Sequence, residues 1–443
     1  MAARREAQMK VGIAKAMITP AVKGKILGVR HELYAKALLL EDGETRVVLI
    51  TADISLFGKD AADAIRERVQ RLTGIPGGHV MLAASHNHSS AATTMLDRWS
   101  GLSCAPDEHY FWYFVDRIVG MVFQASQNMV EARIGAGKGN AKLNINRWVQ
   151  TPEGAKWAPN PDAPDDPEIS VLRIDDASGA PLAMLVNFAA HASVLTWGKY
   201  ISADFPGYLQ DAIEKLYDGR VEAFFVNGAS GDLKVNWLRT REDRKIDFVY
   251  CSEEAGARRI GYAIAGEAVK VFEMTETSCL AGLSVASTKV SFPMLSAPTA
   301  DEVRKELEER RRKGTEAPWD AEWAARIIPE LESGAAPKTI EGEIQCVAIA
   351  GKIMLLALPG EVFVEVGLRL KQMSPVEDLF IVGYANGYVG YLASDKSLRE
   401  DGNKPRYNWH RFFWYPACFA EGTEQVMIDA AEQVFRQVAK KAE

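Results

Sequence analysis

The chain has 443 residues, 47% of them hydrophobic and 25% charged, which excludes a disordered or fibrous protein and allows a large buried core. Lys and Arg number 52 against 59 Asp and Glu, and the net charge of −7 excludes nucleic-acid binding in the absence of a strong basic patch. Five scattered cysteines, odd in number and without a CxxC pair, argue against a disulfide framework or a cysteine-rich zinc site and for a reducing compartment.

The first twenty residues lack the apolar stretch of a signal peptide. No run approaches the length of a membrane span, since the stretch from Met184 to Trp197 is broken by Asn187 and His191. A cytoplasmic protein without stable membrane insertion is expected. Val47 to Ile54 and His79 to Ser85 are apolar strands, and Lys59 to Leu72 between them has helical periodicity and stops at Gly74 and Pro76. Together they make a βαβ unit. Asp107 to Asn128 is a long aromatic-rich helix, and Trp148 to Asp166, rich in Pro, Asp and Asn, is a surface loop.

Strands return at Ile169 to Ile174, Leu182 to Phe188 and Ala223 to Val226, with a helix near Tyr208 to Tyr217 and another from Glu253 to Met274. Leu280 to Phe292 is β-rich. Thr299 to Glu332 is highly charged and predicts two exposed helices; its basic run, Arg310 to Lys313, follows Glu306, Glu308 and Glu309 as on a solvated face. Ile344 to Leu358 predicts a hairpin turning at Gly351-Lys352, followed by a helix from Glu361, and Thr423 to Lys441 a last helix. The expectation is an α/β fold with mixed β-sheets flanked by helices, one large domain over residues 10–443 with 299–332 as a charged helical insertion.

Only seven histidines are present, so their placement carries information. His86 and His88 end one apolar strand and His191 another, while a third runs into Asn227-Gly228-Ala229-Ser230-Gly231-Asp232. Ligands bind where strand ends of open α/β sheets diverge, so these segments point jointly to one site, although any single histidine is most simply a hydrogen-bonded core residue. Leu358-Pro359-Gly360-Glu361 puts a carboxylate after a strand, at what the pattern predicts to be a helix start. Gly383 to Tyr391 is an aromatic and glycine-rich loop after a further strand.

The order of these segments resembles the neutral/alkaline, non-lysosomal ceramidase family. Its SHTHSGP segment is matched by Ser85-His86-Asn87-His88-Ser89, and its NINR by Asn144 to Arg147. Its NFxxHxT…ISxDxxGY stretch is matched by Asn187-Phe188…His191 and Ile201 to Tyr208, and its GDVSPN turn by Gly231 to Asn236. Pro359-Gly360-Glu361 and Asn386 to Tyr391 complete the set. The resemblance implies a zinc-dependent amidase in which His86, His191, Glu361 and Tyr391 hold Zn²⁺. Two imidazoles and a carboxylate are a known catalytic zinc shell, and the activated water would be the nucleophile. It further implies that His88 moves protons, that Arg147 and Tyr407 bind the carbonyl or developing oxyanion, and that Asp204 either orients a ligand or caps a helix.

The pattern also fails in places. Lys234 stands where the family turn carries a serine, and an ammonium donates hydrogen bonds but accepts none, so a serine nucleophile is not expected. Near zinc an ammonium calls for an anion, which makes a carboxylate-bearing small substrate one reading of Lys234, and a lysine turned to solvent or paired with Asp232 the other. The missing signal and the missing C-terminal immunoglobulin-like domain of long-chain members point away from membrane ceramide. Trp99, Trp148, Trp197, Trp237, Trp409 and Trp414 fall near the motifs and would suit an apolar substrate, or the core. The expected activity is hydrolysis of an amide or related acyl bond. A metal-dependent isomerase, epimerase or lyase using Lys234 on a small carbonyl compound is the alternative, and a metal-stabilised binding protein a third reading.

Overall fold

A computed structural model describes residues 8–22, 26–94, 107–152, 155–195, 199–236, 238–240, 246–248, 253–317, 319–400 and 409–442. Apolar runs that cannot face water set its layers. An eight-stranded mixed sheet carries, in spatial order, Glu222–Asn227, Pro181–Phe188, Glu168–Asp176, Val130–Asn140, Lys10–Met17, Tyr34–Glu41, Arg46–Ala52 and Val80–Ala84. A four-stranded sheet carries Leu283–Pro293, Thr339–Ile349, Ile353–Ala357 and Asp378–Val382. Leu40, Leu49, Leu185 and Phe224 of the first sheet meet Val285, Val347, Leu355 and Phe380 of the second in one buried cluster, so the sheets lie face to face.

Helices cover both outer faces. Lys59–Thr73 and Glu108–Gln127 pack on one half of the large sheet through Ile65, Val69, Phe114 and Ile118. Asp204–Leu216 and Glu254–Met274 cover the other half through Leu209, Ile260 and Phe272. Val364–Gln372 and Thr423–Ala442 cover the small sheet. The result is the expected α/β architecture of mixed sheets flanked by helices, in four layers. Both faces of the inner strands are buried, which is why Arg46–Ala52 is apolar after its arginine except at Thr51.

The ends of the two sheets are joined by asparagine side chains. Asn187 Nδ2 donates to the carbonyls of Val226 in one sheet (3.0 Å) and Ile381 in the other (2.9 Å). Asn386 Oδ1 accepts from the Leu82 amide at 2.9 Å, and Asn227 Nδ2 donates to the carbonyls of Ser85 (3.2 Å) and Ala190 (3.0 Å). Asn227 Oδ1 accepts from the Ala190 amide (3.2 Å) and the Ser230 hydroxyl (3.0 Å), so all four of its hydrogen-bonding positions are used.

Two expectations need correction. Trp148 to Asp166 is not one irregular loop, because Asn144–Val149 and Lys156–Asn160 pair as antiparallel strands and Leu233–Val235 adds a third. Glu361 does not open a helix: it lies on the two-residue strand Glu361–Val362, paired in parallel with Tyr391–Leu392, and the helix starts at Val364. Backbone pairing to a strand thirty residues on overrides the local helix-start signal.

The charged segment forms the two expected helices, Ala300–Lys313 and Asp320–Ser333, the first opened by a capping box between Thr299 and Glu302. They are anchored rather than loose. Arg411, on the short helix Trp409–Phe412 and 4% exposed, reaches Asp320 Oδ1 at 2.7 Å and Glu306 Oε1 at 2.7 Å. Its guanidinium also covers the Trp323 ring at 4.3 Å, and Trp323 Nε1 donates to the Tyr415 carbonyl at 2.8 Å. Removing one partner of a buried pair leaves a charge uncompensated. Asp320→Ala is therefore expected to destabilise the docked helices by roughly 3–5 kcal/mol, and Asp320→Leu with Arg411→Met to recover most of it. Denaturant unfolding together with the rate of tryptic cleavage in 310–313 measures both; equal stability of wild type and Asp320→Ala would refute the anchoring role.

Candidate active and metal site

Four strands deliver their C-terminal ends to one place. Val80–Ala84 leads to His86 and His88, Pro181–Phe188 to His191, Glu222–Asn227 to the Gly228–Asp232 turn, and Ile353–Ala357 to Glu361. The tight turn after Ala84 is held by the Ser85 and His86 amides, which donate to the carbonyls of Ala52 and Ile54 (3.0 Å each), and it forces His86 to φ 61°. A non-glycine residue in that region is strained, and such strain persists where surrounding structure over-determines it.

The side chains converge. His86, His88 and His191 are buried and offer ring nitrogens that all lie within 4.8 Å of one another. His86 Nδ1 faces the Ser55 carbonyl at 2.8 Å and His191 Nδ1 the Ser230 carbonyl at 2.7 Å. A carbonyl only accepts, so each Nδ1 carries the ring proton and each Nε2 presents a lone pair. Those lone pairs point at Glu361 Oε2, 3.3 Å from His86 and 2.8 Å from His191. That carboxylate oxygen is buried and has no hydrogen-bond donor. Two imidazole nitrogens and a carboxylate oxygen converging in a dry site, with only the Arg147 guanidinium beside one of them, are a donor set that fits a divalent metal. Burial pushes the His191 imidazole down to about 3, helped by the nearby Arg147, and also drives His88 well below its usual value, so both rings are neutral as ligation requires.

Arg147 lies against this cluster. Its Nη2 is 2.9 Å from His191 Nε2 and donates to the Gly231 carbonyl at 2.9 Å, and its guanidinium stacks on Trp157 at 4.0 Å. Its Nε–H is buried without a hydrogen-bond partner. The two asparagines of the Asn144-Ile145-Asn146-Arg147 segment face the other way: Asn144 Nδ2 binds the Asp166 and Ala189 carbonyls (2.6 and 2.7 Å), and Asn146 Nδ2 binds Asp232 Oδ2 at 2.8 Å. Asp232 Oδ1 accepts the Val364 amide at 2.7 Å, which ties the turn to the chain just beyond Glu361. Gly231 sits so close that an added Cβ would lie 2.3 Å from the Glu361 carbonyl, so only glycine fits.

Tyr391 packs beside Glu361 through the paired strands, its ring parallel to that of His191 at 6.5 Å, and its phenol feels both Glu361 and Arg147. Burial and the Glu361 charge push its phenol far up. Two further tyrosines reach the site that residue patterns did not single out. Tyr388 donates to Glu361 Oε1, and Tyr384 stacks on His86 at 4.1 Å while its hydroxyl meets Ser230 Oγ at 2.8 Å. The signal was present in the run of tyrosines between Gly383 and Tyr391, with positive φ at Tyr384 and Asn386 turning the chain. Asp204 does not contact the metal cluster: Oδ2 accepts the Leu195 amide (2.7 Å) and Oδ1 that of Phe205 (2.6 Å), bracing the loop after His191. Tyr407, Trp99, Trp197 and Trp237 lie outside the described residues. Trp148 lines a small apolar cavity together with Tyr391, Leu398, Phe413, Tyr415 and Phe419.

Comparison with known proteins agrees with this architecture. The profile of the "Neutral/alkaline non-lysosomal ceramidase, N-terminal" family matches residues 20–262, more than half of the chain. Neutral ceramidase A of Dictyostelium discoideum is 27% identical over 216 residues, covering 46% of this chain and 30% of that protein. Neutral ceramidase of Pseudomonas aeruginosa is 28% identical over 265 residues, 55% of this chain and 38% of the relative. The chain thus spans about a third of the length of these two relatives within the matched region. The crystal structure of neutral ceramidase from Pseudomonas aeruginosa superposes with a TM-score of 0.72 at 19% identity, over 98% of this chain and 75% of that one. On the family match over more than half of its length, the chain belongs to the neutral/alkaline non-lysosomal ceramidase family.

Proposed function

We propose that the protein is a zinc-dependent hydrolase of an amide, or related acyl, bond in a small-molecule substrate. The observation that carries the reading is the convergence of the His86 and His191 lone pairs on the unpaired oxygen of Glu361. His86, His191 and Glu361 would hold the metal, with Tyr391 adding a phenolic oxygen. Bound zinc would supply a Lewis acid that lowers the pKa of a water and polarises the scissile carbonyl.

The chain's own residues do the rest. The buried, unpartnered Nε–H of Arg147 is a donor waiting for an acceptor, suited to the carbonyl oxygen as it gains negative charge. Tyr407 would share that oxygen. His88, whose Nε2 stands 3.4 Å from that of His86, is placed to take the proton of the attacking water and pass it to the leaving nitrogen. Trp157 over Arg147 keeps the guanidinium flat and limits water. No described helix is long and apolar enough to cross a membrane.

Metal analysis tests the shell. Wild type is expected to carry about one zinc per chain, as a three-ligand catalytic site does, while His86→Ala and Glu361→Ala hold a small fraction of it; equal metal in all three would remove the proposal. The reaction is tested by incubating an N-acyl amide in ¹⁸O-water: one labelled oxygen is expected in the released acid, and a product of unchanged mass would favour the isomerase alternative. Arg147→Met is expected to lower kcat by roughly 10²–10³ while zinc content stays at the wild-type level, the size of loss seen when one oxyanion donor is removed.

A further inference from the structure

Tyr384 touches all three segments that converge on the site. Its backbone carbonyl accepts from the Ala84 amide (3.3 Å), two residues before His86, and its amide donates to the Gly360 carbonyl (3.2 Å), next to Glu361. Its hydroxyl meets Ser230 Oγ at 2.8 Å, and the Ser230 carbonyl in turn faces His191 Nδ1 at 2.7 Å. Its ring lies on that of His86, with centroids 4.1 Å apart and planes 19° from parallel. The residue is buried and held at φ 55°, a conformation that persists where the surroundings over-determine it.

Donor counting fixes the direction of these bonds. Asn227 Nδ2 donates to the Ser85 and Ala190 carbonyls, so Oδ1 is its acceptor, and the Ser230 hydroxyl spends its single proton there at 3.0 Å. Ser230 Oγ must then accept from Tyr384, and the phenol proton points away from His191. What Tyr384 turns toward His191 Nδ1, 3.4 Å away, is a lone pair. Arg147 pulls the other way. Its Nη2 stands 3.1 Å from Nδ1 and 2.9 Å from Nε2, and donates to whichever nitrogen lacks a proton. The Ser230 carbonyl and the phenol oxygen decide the contest: they make Nδ1 the protonated atom and leave the Nε2 lone pair to the side of Glu361. We infer that Tyr384 is a positioning residue for a metal held by His86, His191 and Glu361, acting on His191 through Ser230 and on His86 through its ring. Groups that hold the second nitrogen of a ligating imidazole fix its tautomer and its plane, and here one tyrosine serves two imidazoles.

The inference rests on the metal reading of the site, and the test keeps the two apart. Tyr384→Phe retains the ring and removes the hydroxyl, Ser230→Ala removes its partner, and the double variant removes both, so that neither is left unmatched. Three quantities are measured on these and on wild type: the zinc dissociation constant by chelator competition, denaturant unfolding of the metal-free protein, and the ¹⁵N spectra of its imidazoles. Each single variant should bind zinc roughly 10–100-fold more weakly than wild type. The double variant should bind it no more weakly than the single ones, because both groups act along one chain of bonds. Stability lost in the single variants should largely return in the double, where an apolar pair replaces a hydroxyl pair. His191 should show one Nδ1–H tautomer in wild type and a mixture in Tyr384→Phe. Zinc affinity unchanged in Tyr384→Phe, or restored together with stability in the double variant, overturns the inference. A tautomer change in a protein that binds no zinc upholds the positioning of His191 and sinks the metal reading; tight zinc in all four proteins with one tautomer throughout does the reverse.

Discussion

The site depends on the seam between the strand ends of two sheets packed face to face. Backbone bonds cross the seam at a few points, from the Ala84 amide to the Tyr384 carbonyl, from Asn386 to Leu82 and from Gly383 to Asn227, and buried side chains add to them. Asn187 bonds a carbonyl in each sheet, and Asn386 and Asn227 bind the Val80–Ala84 strand and the turn after it. An asparagine offers two donors and an acceptor on a short stem, so it fixes position with little freedom. Each bond is buried, and an unmade buried bond costs roughly 1–3 kcal/mol, which makes the register of the seam stringent. His86 and His191 grow from one sheet and Glu361 from the other, so this seam decides whether they meet.

Once they meet, the electrostatics of folding and of metal binding oppose each other. Each Nδ1 faces a carbonyl, leaving the Nε2 atoms directed at the Glu361 carboxylate, with the Arg147 guanidinium against that of His191. In the proposed reading this arrangement would attract a divalent ion. The strained φ of His86 and the tyrosines packed around Glu361 belong to the same logic, since a site that relaxed freely would form hydrogen bonds instead of a metal pocket.

What was legible in the sequence follows from what is local. The runs around Val47, Val80, Leu182 and Ala223 are apolar because they are buried on both faces, and their ends carry the histidines and glycines that chemistry needs. Three central strands escaped notice for reasons far away in the chain. Tyr34–Glu41 carries Lys36, which is buried only because Glu214 and Glu222 meet it at 2.5 and 2.8 Å. Lys10–Met17 has two lysines of its own, and Lys15 joins the same charge cluster. Val130–Asn140 is interrupted by glycines that suggest a loop, yet at Gly135 a Cβ would lie 2.1 Å from the Glu276 carbonyl, so the gap is filled by another segment's backbone. Glu361 was identified by type and misplaced by element, because its partner Tyr391 is remote. The tyrosine cage of Tyr384 and Tyr388 was hidden for the same reason: aromatic residues after a strand pack in a core as readily as around a carboxylate.

Two buried acids show what the site costs in stability. Burial pushes the carboxyls of Asp204 and Asp232 up to about 6 from an ordinary 3.8, against the pull of the backbone amides they accept. An acid whose pKa is raised on folding binds its proton more tightly in the native state, so its penalty is absent below pH 3.8 and complete above about 6. The protein therefore carries these two charges at a loss throughout the neutral range. Neutral residues would fold more favourably but would not do the same work: Asp232 accepts from Asn146 and the Val364 amide together, and so links the ribbon that bears Arg147 to the strand that bears Glu361. Asp204 braces the loop beyond His191 with two amides at once. Only a carboxylate accepts on both oxygens, so the rigidity of the histidine cluster is obtained by burying charge where hydrophobic packing alone would have been more stable.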